Sequence, residues 1–256
     1  VNPNLCRIVL RPRDPLEVFD LALLLLRARF GAFARLWWVL VAPWLLPAFA
    51  LGWWTDWHWG VGLGLVVVLS ALDVPFVLLA GRLLFDDRVR VRQVLWELVR
   101  GPGAVLHGVA VHGAVWVGGA LTCGFGLPVF LGAAAFLPTV LWLERLAGAR
   151  AMRRTSRLSA IGLAQAAAAG LAPVVLPIWF ALLAEAVGVG VFDYVLQLGR
   201  PVGEVWAMQA TPFAMIGVAI AAPLVGVYRL LLYVDARTRA EGWDLQVDLR
   251  ALGLAK

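Results

Sequence analysis

"PTVLWLERLAGARAMRR", residues Pro138–Arg154, is the stretch on which the fold turns. It opens as a segment suited to hydrocarbon and closes with three arginines in its last five positions. Read as one helix, its first half crosses a bilayer and its second half emerges from it. The crossover falls at Glu144 and Arg145. Past that point, arginine stems can lie along the apolar boundary while the guanidinium groups reach lipid phosphates. The expectation is a helix that continues beyond the membrane as an amphipathic arm.

The rest of the chain supports this reading. Hydrophobic residues make up 62% and charged residues 15% of the 256 positions, against roughly 45–50% and 25% in ordinary globular chains. Mean hydropathy is +0.86. The net charge of +6 does not point to nucleic acid, because the arginines fall in clusters between long apolar stretches, as membrane-surface loops do. Cys6 and Cys123 fall on opposite sides of the expected topology, which argues against a disulfide framework. The opening residues, "VNPNLCRIVLRPRDP", have no apolar core of the signal-peptide kind, so the first span is expected to act as its own insertion signal.

A span needs about 20 mostly apolar residues. Segments of that kind lie at about 33–54, 61–84, 104–123, 125–146, 161–187 and 209–234. Of the 22 Lys and Arg, 21 fall on one side of this arrangement, and only Arg200 falls on the other. Positive charge near span ends marks the cytoplasm, so both termini are expected there, in a bacterial inner membrane.

Three similar units are visible. "PFVLLAGR" (75–82), "PTVLWLER" (138–145) and "PLVGVYR" (223–229) each place a proline six or seven residues before an arginine. An amphipathic stretch precedes each odd span. In the first, Leu16, Phe19, Leu23, Leu26 and Phe30 recur at helical spacing. In the second, Val91, Val94, Leu95 and Leu98 share a face, and the third is "ARAMRRTSRLSAIG". Gly31, Gly101 and Gly162 follow these stretches, where a helix can stop. The expected fold is an all-α integral membrane protein with six transmembrane helices as three hairpins. Each hairpin follows a cytoplasmic or interfacial amphipathic helix. Residues 1–32 form the amino-terminal arm, 33–234 the membrane domain and 235–256 a cytoplasmic tail.

Few residues suggest chemistry. Asp73, near the middle of the second span, must face the bundle interior, a water cavity or a partner, since a carboxylate at that depth costs about 2.5–3.5 kcal/mol. It fits a helix-packing residue beside the kink at Pro75, with a proton or ion site as the alternative. His107 and His112 stand about 140° apart around a helix, which is not a metal pair. Glu144 beside Arg145 reads as an interfacial ion pair, and Glu185, Asp193 and Glu204 read as solvated outer acids. "WWTDWHW" (53–59) reads as an aromatic belt, with a binding platform as the alternative. Hydrolase, phosphate-loop and zinc-protease motifs are absent from the sequence. No cofactor and no metal are expected.

The most distinctive stretch is "YRLLLYVDARTRAEGWDLQVDLRAL", from Tyr228 to Leu252. Asp235 with Arg239 and Arg237 with Glu241 offer pairs four residues apart on a helix, and Gly242 suits a helix stop. The stretch resembles the end of a widespread group of bacterial polytopic proteins related to the membrane domain of glycerophosphoryl diester phosphodiesterase. The matching residues are Tyr233, Asp235, Arg237, Arg239, Glu241, Gly242, Trp243 and Asp244. The resemblance implies a multi-span membrane domain without the catalytic barrel, and it supplies no reaction.

The function expected is non-enzymatic: a scaffold or lipid-contacting subunit of an envelope assembly. The partners expected are anionic phospholipids of the cytoplasmic leaflet, met by Arg27, Arg29, Arg88, Arg90, Arg92, Arg153 and Arg154. Protein partners or a homo-oligomer are expected beside them, and nucleic acid is not. The alternative is a transporter or channel component with Asp73 lining an intramembrane cavity.

Overall fold

A computed structural model gives the fold, describing residues 11–84, 86, 89–101, 103, 110, 113–118, 121–122, 131–146, 148–198 and 209–242. Among these residues the chain is helical and forms no strand. In chain order the helices are α1 (Pro15–Ala28), α2 (Phe30–Leu40), α3 (Ala42–Trp54), α4 (Trp59–Ala71), α5 (Val74–Leu83), α6 (Val91–Arg100), α7 (Leu137–Leu143), α8 (Gly148–Ile161), α9 (Leu163–Val189) and α10 (Pro212–Glu241). A π-helical turn, Gly190–Val195, extends α9.

Three stretches are long and apolar enough to cross a membrane: Trp59–Leu83, Leu163–Val195 and Pro212–Glu241. The pair α2 and α3, bent by 45° at Val41, makes a fourth if taken as one span. The described residues do not reach six spans. The span expected at 104–123 lies mostly outside them, and the one expected at 125–146 is represented by the short apolar helix Leu131–Leu143. The three-hairpin arrangement is likewise not visible in them.

α10 is the axis of the molecule. Of its most apolar window 83% is buried, against 11% for α9, so α10 is wrapped by protein while α9 presents a broad apolar flank. Thr211 starts α10 by accepting the Ala214 N–H at 3.1 Å, with Pro212 in the first turn. Gly242 ends it in a left-handed conformation at φ 57°, where glycine carries no Cβ penalty. Pro223, in mid-helix, has no N–H for the carbonyl of Ala219 four residues back. The Trp37 indole N–H fills that gap, donating to the Ala219 carbonyl at 2.7 Å. One proline therefore frees the acceptor through which Trp37 of α2 is tied to α10.

α9 lies against α10, and one glycine decides how closely. A Cβ on Gly217 would stand 2.2 Å from the Phe180 carbonyl oxygen. At this crossing the backbones approach nearer than any side chain would allow.

The three expected arms are helices α1, α6 and α8. On α6, Val94 is buried and Val91, Leu95 and Leu98 pack on the core, the face expected. On α1 the expected face divides. Phe19 packs edge-on against Tyr228 at 5.4 Å and Leu26 packs on the core, whereas Leu16, Leu23 and Phe30, the last at the start of α2, are exposed; the buried residues are Val18 and Ala22. The break after α1 falls at Arg29 and not at Gly31, which lies inside α2. The expectation for Pro138–Arg154 needs correction. α7 stops at Leu143, Arg145 takes a left-handed φ of 54°, and α8 starts afresh at Gly148. The span and the arm are two helices joined by a turn, so the crossover at Glu144 is a break in the backbone.

Candidate functional site

Among the described residues, three groups of charged and polar side chains gather along α10. Deepest lies the ion pair between Asp73 and Arg229, whose side chains are 1% and 4% exposed. Asp73 stands at the start of α5 just before Pro75, its side chain making no capping bond, and Arg229 reaches it from mid-α10. Arg229 also donates to the Ala135 carbonyl at 2.8 Å. The backbone explains why that carbonyl is open. The turn before α7 follows an i to i+3 pattern, Ala135 N–H to Gly132 and Leu137 N–H to Ala134. The next donor in that pattern is Pro138, which has no N–H. Arg229 thus joins three segments: the α5 start, the α7 turn and α10. Removing two charges from water is expensive unless they pair and satisfy their remaining valences. Here the pair leaves Asp73 Oδ1 and Arg229 Nε without partners.

The second place is a cluster around Glu144. Tyr233 donates its hydroxyl to Glu144. Arg154 of α8 binds Glu144 at 2.9 and 3.1 Å and also binds Glu241. Arg237 closes the ring, 3.0 Å from Glu241 and lying over the Tyr233 ring at 5.9 Å. The hydrogen bond that Arg154 donates to Glu241 raises its pKa above the ordinary value; partial burial works against this, and Glu144 adds to the rise. Arg154 therefore stays charged as the hub of the cluster. The expected Glu144–Arg145 pair is replaced by Glu144–Arg154, because the left-handed turn sends Arg145 outward, where it is exposed.

The third place ties down the amino-terminal arm. Asp235 accepts the Arg13 backbone N–H at 2.7 Å and binds Arg239 at 2.9 Å. Arg239 and Gln165 both donate to the Arg13 carbonyl, at 2.8 and 3.3 Å. Tyr228 donates to the Pro15 carbonyl at 3.1 Å. The carboxyl motif is thus where α1, α8, α9 and α10 are joined. Its Trp243 and Asp244 lie outside the described residues.

The remaining candidates divide. Arg27, Arg90, Arg92 and Arg153 are exposed, Arg29 is half-buried, and Arg88 lies outside the described residues. Arg154 is held by two carboxylates, so its guanidinium faces protein rather than lipid. Glu185 is not solvated: it is buried and accepts the Thr211 hydroxyl. His107, His112, Cys6, Cys123, Arg200 and Glu204 lie outside the described residues. Among the described residues no three His, Cys, Asp or Glu side chains are grouped to hold a metal.

Sequence reading missed Arg229 as the partner of Asp73. A signal was present, since "VYRLLLYV" (227–234) flanks this arginine with apolar residues on both sides, unlike the surface clusters. Nothing local signalled the Glu144–Arg154 pair, which depends on the turn between α7 and α8. The chemistry available to these groups is charge pairing and backbone capping, which hold helices in register. Compared with known proteins, the chain matches no family model, no curated protein and no solved structure.

Proposed function

We propose that this chain is a multi-pass protein of a bacterial inner membrane, with both termini cytoplasmic, and that it serves as a non-enzymatic scaffold or lipid-contacting subunit of an envelope assembly. The proposal includes two further spans, at 104–123 and 125–146, making six in three hairpins. The motif likeness to the membrane domain of glycerophosphoryl diester phosphodiesterase is part of it and brings no reaction. The observation that carries it is the use of interior charges on one another: Asp73 is tied to Arg229, and Arg229 to the Ala135 carbonyl. Such a joint holds helices together, which is what a scaffold requires. The arginine asymmetry supports the orientation. The exposed apolar flank of α9, with Leu171, Val175, Ile178, Trp179 and Leu183, supports a lipid or protein neighbour.

The test is purification from native membrane with identification of bound proteins and lipids. Stoichiometric partners or retained anionic phospholipid, without solute movement in liposomes, support the reading. A second reading, a transporter component, draws on the unpartnered Asp73 Oδ1 and Arg229 Nε, an acceptor and a donor left open to a ligand in the interior. Ion-dependent flux that Asp73→Asn abolishes in an intact protein would favour it and overturn the scaffold.

A further inference from the structure

The tryptophan turn at 53–59 takes no part in the polar joints on α10. It closes one end of a cavity of about 660 Å³ between α3 and α4, well within the size range of ligand sites. Trp44 and Leu51 line it from α3, Thr55 and His58 from the turn, and Gly60, Gly64 and Val68 from α4. The lining is almost wholly apolar. A Cβ built on Gly64 would meet nothing within 4 Å, so the groove is hollow where α4 lacks a side chain. Trp44 and Thr55 are eleven residues apart, about 16 Å along a helix. That is about half the roughly 30 Å hydrocarbon core, the depth of a single leaflet.

The mouth is polar and fixed. His58 Nδ1 accepts the Gly60 N–H at 3.2 Å, which places the ring proton on Nε2 as a donor. Asp56 and Trp57 both have positive φ, 49° and 60°, a conformation that non-glycine residues keep only where surroundings enforce it. The enforcement is visible: the Ala210 N–H bonds the Trp57 carbonyl at 2.6 Å, and the Trp57 ring lies against Gly52. Asp56, His58, Trp53, Trp54 and Trp59 are exposed. The Arg154, Arg237 and Arg239 cluster sits at the opposite end of α10 from Ala210. Thr55 and His58 of this turn line the cavity itself, so its mouth offers an imidazole N–H, with the Asp56 carboxylate and exposed indoles carried on the same short turn.

We propose that this groove binds one acyl chain of a zwitterionic, amine-headed glycerophospholipid. The phosphate meets His58 Nε2, and the ammonium meets Asp56 and the indole faces, to which cations are attracted. An anionic head group lacks the cation that Asp56 requires. The inference rests on the membrane placement proposed above and is independent of the scaffold reading.

The test uses the full chain in phosphatidylglycerol vesicles doped with phosphatidylethanolamine bearing a diazirine on its acyl chain. Irradiation is expected to label α3 and α4 residues such as Leu51 and Val68. Unlabelled phosphatidylethanolamine should compete, and added phosphatidylglycerol should not. Gly64→Leu, which fills open space, should cut labelling about tenfold without lowering the melting temperature, as should Val68→Trp. Equal competition by the two lipids on the wild-type chain overturns the proposal, as does undiminished labelling of a stably folded Gly64→Leu. A chain stripped from the vesicles by alkaline carbonate would instead overturn the membrane placement itself.

Discussion

Arg229 and Asp73, 156 positions apart in sequence, form a buried ion pair that joins mid-α10 to the start of α5. Each charge is tolerable in the interior only because the other is present.

Removing one partner leaves an uncompensated buried charge, a loss of about 3–5 kcal/mol. Arg229→Met and Asp73→Leu are each expected to lower the melting temperature of the detergent-solubilised protein sharply. The double variant should recover most of the loss, because it buries no charge. Additive losses in the double variant would show that the two side chains act separately.

The Trp37 indole fills the carbonyl that Pro223 leaves open on Ala219. Trp37→Phe should cost about 1–3 kcal/mol, the range for an unsatisfied buried acceptor. In a Pro223→Ala background the helix supplies its own N–H, so the same change should lose its hydrogen-bonding part. A double-mutant cycle on thermal unfolding measures the coupling, and a coupling of zero would refute this account of the α2 docking site.

Neighbouring arginines on α8 should behave differently. Arg154 holds Glu144 and Glu241, whereas Arg153 is exposed. Arg154→Ala is expected to cost about 1–3 kcal/mol and to increase proteolysis at the junction of α8 with the end of α10. Arg153→Ala should stay within about 0.5 kcal/mol of wild type. Equal sensitivity of the two positions would contradict the cluster.

Gly217→Ala drives a methyl group into the Phe180 carbonyl oxygen. The expected loss is about 1–3 kcal/mol, typical of overpacking. Gly64→Ala points into open space and should leave stability unchanged or slightly raised. Chemical denaturation of the two single variants compares them directly.

The parts legible in sequence were those set by local pattern. The apolar face of α6, the helix stop at Gly242 and the charge pairs four apart on α10 all depend on residues within one or two turns of each other. The Asp235–Arg239 and Arg237–Glu241 pairs stand at 2.9 and 3.0 Å. Reading failed where tertiary structure overrode pattern. The Leu16 face of α1 is helical in period but only Phe19 and Leu26 of it pack on the core, because the buried side of the helix is centred on Val18 and Ala22. The helix through Glu144 breaks because Glu144 is drawn to Tyr233 and Arg154, neither of them adjacent in sequence. Glu185 looked solvated because its partner, Thr211, lies 26 residues further along.

The central position of α10 has a consequence for how the protein is made. It is the last of the described helices to leave the ribosome, yet α1, α5 and α9 all pack on it. Until Arg229 is synthesised, Asp73 lacks the countercharge that the folded chain gives it, so the early helices hold an unpaired carboxyl group. Nascent chains halted before Pro212 would then be the form most exposed to quality-control proteases.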